Sequence, residues 1–253
     1  MGSRWPPLVV LVIAAVVGLA AAGARCKRPG EPAAPAWSGV MLSLGDSVAA
    51  GNGASDPAAT SFAALVAHDE GVELVNLAVA GATTQDVLDA QLPRADEQLA
   101  GRRVAFVTVS VGGNDLAALI PNAACVQEPL PASCPLDETL RGVEARYRRI
   151  VATLRSRYPQ APVVLLAYPN FFSGTGHPFE APAGRVLPRL DAAIRAVAAD
   201  DGGRHGVAEA APAFEGRGGE LTHVLDPASD PHPDDAGHRA IADAFEAALD
   251  GLR

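Results

Sequence analysis

Four stretches of the sequence hold the residue types that acyl transfer requires. Gly45-Asp46-Ser47 carries a hydroxyl on a tight turn, with Gly51 and Gly53 close behind it. Ala80-Gly81-Ala82 offers a backbone N–H, and Gly112-Gly113-Asn114-Asp115 offers a carboxamide. Ser229-Asp230-Pro231-His232-Pro233 offers an imidazole, and the flanking prolines hold its backbone extended and limit where the ring points. A serine hydroxyl is a weak nucleophile at neutral pH until a base takes its proton. His232 is the candidate base. The Gly81 N–H and the Asn114 amide are candidate donors to the oxyanion, and one such donor contributes about 2.7–4 kcal/mol of transition-state stabilisation. Each stretch alone is also ordinary turn chemistry. Of the other histidines, His238 falls inside a helix, where packing or capping is expected. His68, His177 and His205 have no such context, and His223 is the reserve candidate.

Those residues can converge only if the elements before them end at one edge. Val40–Leu44, Val72–Val79, Val104–Val111 and Val163–Ala167 are short apolar runs of the kind that form buried strands, and Gly206–Ala210 is a possible fifth. Helical patterns alternate with them. One is capped by Thr60 or Ser61 and stopped at Gly71. A second is capped by Thr84, a third spans Leu136–Tyr158, a fourth about Arg185–Ala199, and a last Asp234–Leu252. Alternating strands and helices predict a three-layer α/β/α domain around a parallel, flavodoxin-like sheet of about five strands. Ligands of such sheets bind outside the carboxyl ends of the strands, where three of the four stretches would lie together. The His232 loop, just before the last helix, reaches the same edge.

Taken in order, Gly45-Asp46-Ser47, Gly81 after Asn76-Leu77, Gly112-Gly113-Asn114-Asp115, and His232-Pro233 before Gly237-His238 resemble the SGNH/GDSL serine esterases and lipases. The resemblance runs from about Val40 to the end of the chain. It implies ester hydrolysis with no metal or cofactor, Ser47 as nucleophile, His232 as base, and an oxyanion hole of the Ser47 N–H, the Gly81 N–H and the Asn114 amide. The chain departs from the family in two places. Val48 stands where the family name has leucine. The family's acid lies three residues before the histidine, where this chain has Ser229. Asp230, Asp226 or a backbone carbonyl remain to orient His232, with Asp230 placed first.

Three rival assignments use the same residues. Gly45-Asp46-Ser47-Val48-Ala49 comes within one residue of the α/β-hydrolase elbow, which normally follows several strands. His232, Asp234, Asp235 and His238 could be metal ligands, though acidic residues opening a helix are expected from its dipole alone. The irregular acid also leaves room for a non-catalytic carbohydrate- or partner-binding module.

Composition narrows the setting. The 253 residues are 49% hydrophobic and carry a net charge of −9 without a basic cluster, which argues against nucleic-acid binding. Arg4, the apolar run Leu8–Ala22 and Ala22-Gly23-Ala24 fit a signal peptide of residues 1–24, cleaved after Ala24. The mature protein is then secreted or held in the cell envelope, and membrane contact is expected only through this segment if it stays uncleaved. Residues 25–38 form a Pro/Ala-rich linker and 39–253 the hydrolase domain. Cys125 and Cys134, nine positions apart in a Pro-rich stretch, could close a loop in an oxidising compartment, which leaves Cys26 over. Arg25 before Cys26 does not suit lipidation. A monomer acting on a small-molecule or lipid ester is expected. Its substrate is a lipid, a small acyl ester or an acylated sugar, with short to medium acyl chains preferred. Phe171, Phe172 and Phe179 could line an acyl pocket or serve as loop core.

Overall fold

The computed structural model describes residues 37–117, 119, 125, 127, 129, 131–200, 204–228 and 230–253. The expected signal segment, most of the expected linker, Cys26 and Ser229 lie outside the described residues. In chain order the elements are β1 (Val40–Gly45), α1 (Ser47–Ala50), α2 (Phe62–Asp69), β2 (Glu73–Asn76) and α3 (Thr84–Asp86). A π-helical turn, Val87–Gln91, joins α3 to α4 (Leu92–Leu99). There follow β3 (Val104–Ser110), α5 (Gly113–Ala117), α6 (Leu136–Arg157), β4 (Val163–Ala167) and α7 (Glu180–Ala199). β5 (His205–Glu209), α8 (Ala211–Phe214), α9 (Gly218–Leu221), a 3₁₀ turn at His223–Leu225 and α10 (Asp235–Asp250) complete the described chain.

The strands form one parallel sheet in the order β2-β1-β3-β4-β5. The burial of each strand follows its sequence. β1, β3 and β4 are continuous apolar runs, buried at every position, and occupy the centre. β2 and β5 carry exposed residues and take the edges. Helices flank the sheet. α2 and α10 pack together, with Phe62 and Phe245 stacked 4.9 Å apart, while α6 packs on α7. Burying a Phe or Leu side chain fully contributes roughly 1.5–3 kcal/mol, so these layers supply much of the drive to fold. Trp37, two residues before the expected start of the domain, packs edge-on against Phe106 at 5.5 Å.

Three local expectations are corrected. The helix after β2 is capped by Thr83, not Thr84, because Thr83 has Asp86 three residues on and the two form a reciprocal capping box. Thr84 has Val87 at that distance and cannot. α7 begins at Glu180 rather than near Arg185, since Pro182 sits in the first turn, where the N–H groups have no partner within the helix. β2 ends at Asn76, whose side chain bonds the Ala49 carbonyl at 2.7 Å and the Ala78 N–H at 3.0 Å and turns the chain. Of the two caps considered for α2, Ser61 is the one used.

Candidate active site

Ser47 opens α1 directly after β1, and Asp46 is the cap of that helix, with Oδ1 accepting the Val48 N–H at 3.0 Å. The Asp46 N–H donates to the Ser110 carbonyl at 2.9 Å, which ties the Ser47 turn to the end of β3. Gln91, from the π turn, brackets the preceding residue. Its Oε1 accepts the Gly45 N–H at 2.8 Å and its Nε2 donates to the Gly45 carbonyl at 2.7 Å. The other Asp46 oxygen accepts the Tyr168 hydroxyl at 2.5 Å, and that hydroxyl lies 3.2 Å from Ser110 Oγ. Burial pushes the Asp46 carboxyl up to about 7, against the lowering effect of its bonds to Tyr168 and Val48. The Tyr168 N–H is held in turn by Asp191 at 2.8 Å, whose carboxyl burial raises to about 6. Sequence reasoning missed Tyr168, Gln91 and Asp191. None carries a local signal, since each acts on a residue far away along the chain.

The His232 loop is seated on the loop after α1. Gly53 has φ +86°, and a Cβ there would stand 2.2 Å from the Pro233 carbonyl and 3.0 Å from the His232 Cβ, so only glycine lets the two segments approach. His223 donates to the Gly53 carbonyl at 2.9 Å through Nε2, and its own N–H donates to the His232 carbonyl at 3.1 Å. His223 is therefore a strut for the loop. Its bonds to Gly53 and Asp226 raise its basicity.

Of the candidates to orient His232, Asp230 contacts it. Asp230 Oδ1 accepts the His232 backbone N–H at 3.0 Å and pairs with Nδ1 of the ring. Burial works to raise the Asp230 carboxyl, but its bonds to His232 outweigh it and hold the carboxyl below the usual range. Asp226 instead pairs with His223 Nδ1 at 2.8 Å. With Nδ1–H on Asp230, the Nε2 lone pair of His232 is left as the basic atom.

The structure brings Ser47, Asn114 and His232 to one cleft of about 410 Å³. The rest of its lining is mostly apolar and includes Leu116, Leu136, Phe171, Phe172, Phe179 and Val186. The Glu180 carboxylate shapes the aromatic wall by accepting the Gly174 N–H at 2.6 Å and the Gly176 N–H at 2.8 Å. Phe172 and Phe179 pack edge to face at 5.8 Å. The Cys125–Cys134 disulfide is formed and also lines the cleft. Gly81, with φ +82°, is not in the lining. It sits on the turn beside it, and Asn114 Nδ2 donates to the carbonyl of the next residue, Ala82, at 3.0 Å.

The residues of the metal alternative have other partners. Asp234 caps α10 through the Gly237 N–H at 2.8 Å, and Asp235 holds Ser55 and Thr60. The fully buried His238 bonds the Asn52 carbonyl at 3.0 Å and accepts the Phe62 N–H at 3.3 Å. Among the described residues, no three His, Cys, Asp or Glu side chains are grouped as ligands for a metal ion.

The GDSL-like lipase/acylhydrolase family model matches residues 43–240. The chain belongs to that family. It is a carboxylic ester hydrolase of the GDSL type. Solved structures share the fold. A phospholipase A1 from Streptomyces albidoflavus NA297 is 24% identical, covers 83% of this chain and 99% of its own, and has a TM-score of 0.65. An extracellular lipase from Streptomyces rimosus is 24% identical over 83% of this chain and 100% of its own, with a TM-score of 0.64. An acetylxylan esterase from Geobacillus stearothermophilus is 20% identical over 85% of this chain and 94% of its own, with a TM-score of 0.59. Comparison with curated proteins finds no match. The GDSL fold, in which Ser47 follows the first strand of the sheet, replaces the α/β-hydrolase architecture considered from the sequence.

Proposed function

We propose that this GDSL hydrolase is a secreted serine esterase that works through an acyl-enzyme on Ser47. The observation that carries the proposal is the Asp230–His232 pair, which leaves one basic ring nitrogen in the cleft that Ser47 and Asn114 also line. His232 Nε2 takes the Ser47 proton as Oγ attacks the ester carbonyl. The carbonyl oxygen becomes an oxyanion and is met by the Asn114 amide, the Gly81 N–H and the Ser47 N–H, donors fixed before the charge develops. The C–O bond to the alcohol then breaks, and His232 returns the proton to the leaving oxygen. Water repeats the sequence on the acyl-enzyme, releases the acid and restores Ser47. Asp230 keeps Nδ1 protonated throughout and stabilises the imidazolium.

The apolar cleft takes the acyl part of the substrate. Each methylene buried there contributes about 0.8 kcal/mol, or roughly fourfold in kcat/KM, until the cleft is full. That supports a lipid or small acyl ester of short to medium chain over an acetylated sugar. Export is supported by the N-terminal segment and by the disulfide, a feature of oxidising compartments. Among the described residues no helix is long and apolar enough to cross a membrane. N-terminal sequencing of protein from the culture medium should begin at Arg25, and an intact Met1 terminus would refute cleavage. For the chemistry, stoichiometric phosphonate labelling at Ser47 and loss of activity in Ser47→Ala are expected. Full ester hydrolysis by Ser47→Ala would overturn the mechanism.

A further inference from the structure

Two of the three donors proposed for the oxyanion, the Gly81 N–H and the Asn114 amide, come from separate turns, after β2 and after β3, so their spacing must be set by contacts between those turns. Asn114 supplies one contact, through Ala82. A second lies behind it. The Asp115 carboxylate, 4% exposed, accepts the Thr84 N–H at 2.8 Å and the Thr84 hydroxyl at 2.6 Å. Arg146, on α6, completes the set. Its Nη2 donates to Asp115 at 2.9 Å and its Nε to Thr84 Oγ1 at 2.6 Å. One planar guanidinium thus grips a residue from each turn, a geometry the point charge of lysine does not reproduce. Gly142 stands one helical turn earlier, and a methyl group there would lie 3.2 Å from Arg146 Nη1. Glycine is the least favourable residue after proline for a helix interior. At its place inside the 22-residue α6 a side chain would press on the guanidinium.

We infer that Arg146 is a positioning residue for the oxyanion site: through Thr84 and Asp115 it sets the distance between the Gly81 turn and Asn114. Arg146 does not line the cleft. The inference rests on the proposed roles of Gly81 and Asn114.

The test is kcat and KM on a short p-nitrophenyl ester for Arg146→Met, Arg146→Lys, Asn114→Ala and the double variant Arg146→Met/Asn114→Ala. Asn114→Ala should lower kcat by roughly 10²–10³-fold. Arg146→Met should lower kcat at least about tenfold and leave KM within about twofold, because the misplaced donors act in the transition state. Arg146→Lys should recover only part of that loss. In the Asn114→Ala background the Arg146→Met loss should shrink to about threefold or less, since residues acting as one unit are not additive. An Arg146→Met kcat within twofold of wild type, or an equal loss in both backgrounds, would overturn the inference. An Asn114→Ala enzyme of full activity would overturn the oxyanion assignment instead. If Arg146→Met does not fold, Gly142→Ala decides. It favours helix yet crowds the guanidinium, so a several-fold fall in kcat at unchanged KM is expected, and an unchanged kcat refutes.

Discussion

Replacing Asp46 with asparagine isolates the cost of keeping a carboxyl under the Ser47 turn. Asp46 is 3% exposed, and burial raises its pKa from 3.8 to about 7, with a smaller contribution from Asp115 and opposition from Tyr168 and Val48. Between those two values the folded protein holds the proton and the unfolded chain has lost it. Raising the pH therefore favours unfolding. The stability associated with this group is complete below pH 3.8 and is lost as the pH climbs to about 7. At 1.36 kcal/mol per pKa unit the loss is about 4 kcal/mol. Asparagine has the same shape and no titration. Its carbonyl oxygen can accept the Val48 N–H, and its amide can donate to Tyr168, whose hydroxyl then turns to Ser110. The assay is urea unfolding of both proteins at pH 4.5, 6 and 8, disulfide intact. Titrations common to both cancel in the difference. About 1 kcal/mol of that loss is already incurred at pH 4.5, so Asp46→Asn should gain about 3 kcal/mol on wild type between the ends of that range, or roughly 1–1.5 M in midpoint at an m-value near 2–3 kcal/mol/M. A difference that stays flat with pH would mean that the Tyr168 and Val48 bonds keep Asp46 ionised, and would refute the reasoning.

Two further predictions concern the cleft. Asp230→Ala removes the acceptor for both His232 Nδ1 and the His232 N–H. It should cost at least about 10²-fold in kcat/KM, since the ring loses its tautomer and its aim, and a loss under threefold in steady-state assays would show that another group orients His232. In a p-nitrophenyl series, kcat/KM should rise about fourfold per methylene and then level at medium length. Phe172→Ala and Phe179→Ala should lower that slope, and peak activity on long-chain lipid would refute the assigned acyl pocket.

How much could be read in advance differs by residue. Val40–Gly45, Val104–Ser110 and Val163–Ala167 are central strands for the reason visible in their composition: a strand covered on both faces has no polar side to show. The turns that end β1 and β3 were equally legible, because small and polar residues that break an apolar run do so locally. Phe171, Phe172 and Phe179 were not. Whether an aromatic loop packs inward or lines a cleft depends on Glu180 folding that loop back on itself, a bond no periodicity reports. The acid was also open, since Asp226 and Asp230 both lie within reach of a histidine in sequence. The loop conformation gives Asp226 to His223 and Asp230 to His232.

The sequence by itself determined the fold class, the order of the four blocks and the choice of Ser47 and His232 as the residues proposed for the chemistry, all of which follow from residue type and short-range spacing. The tertiary structure alone decided what holds them. Tyr168 meets Asp46 across 122 positions, Arg146 meets Thr84 across 62, and Gln91 meets Gly45 across 46. Such bonds join residues that become neighbours only when parallel strands end at one edge. A buried polar group must find a partner there, whichever part of the chain supplies it.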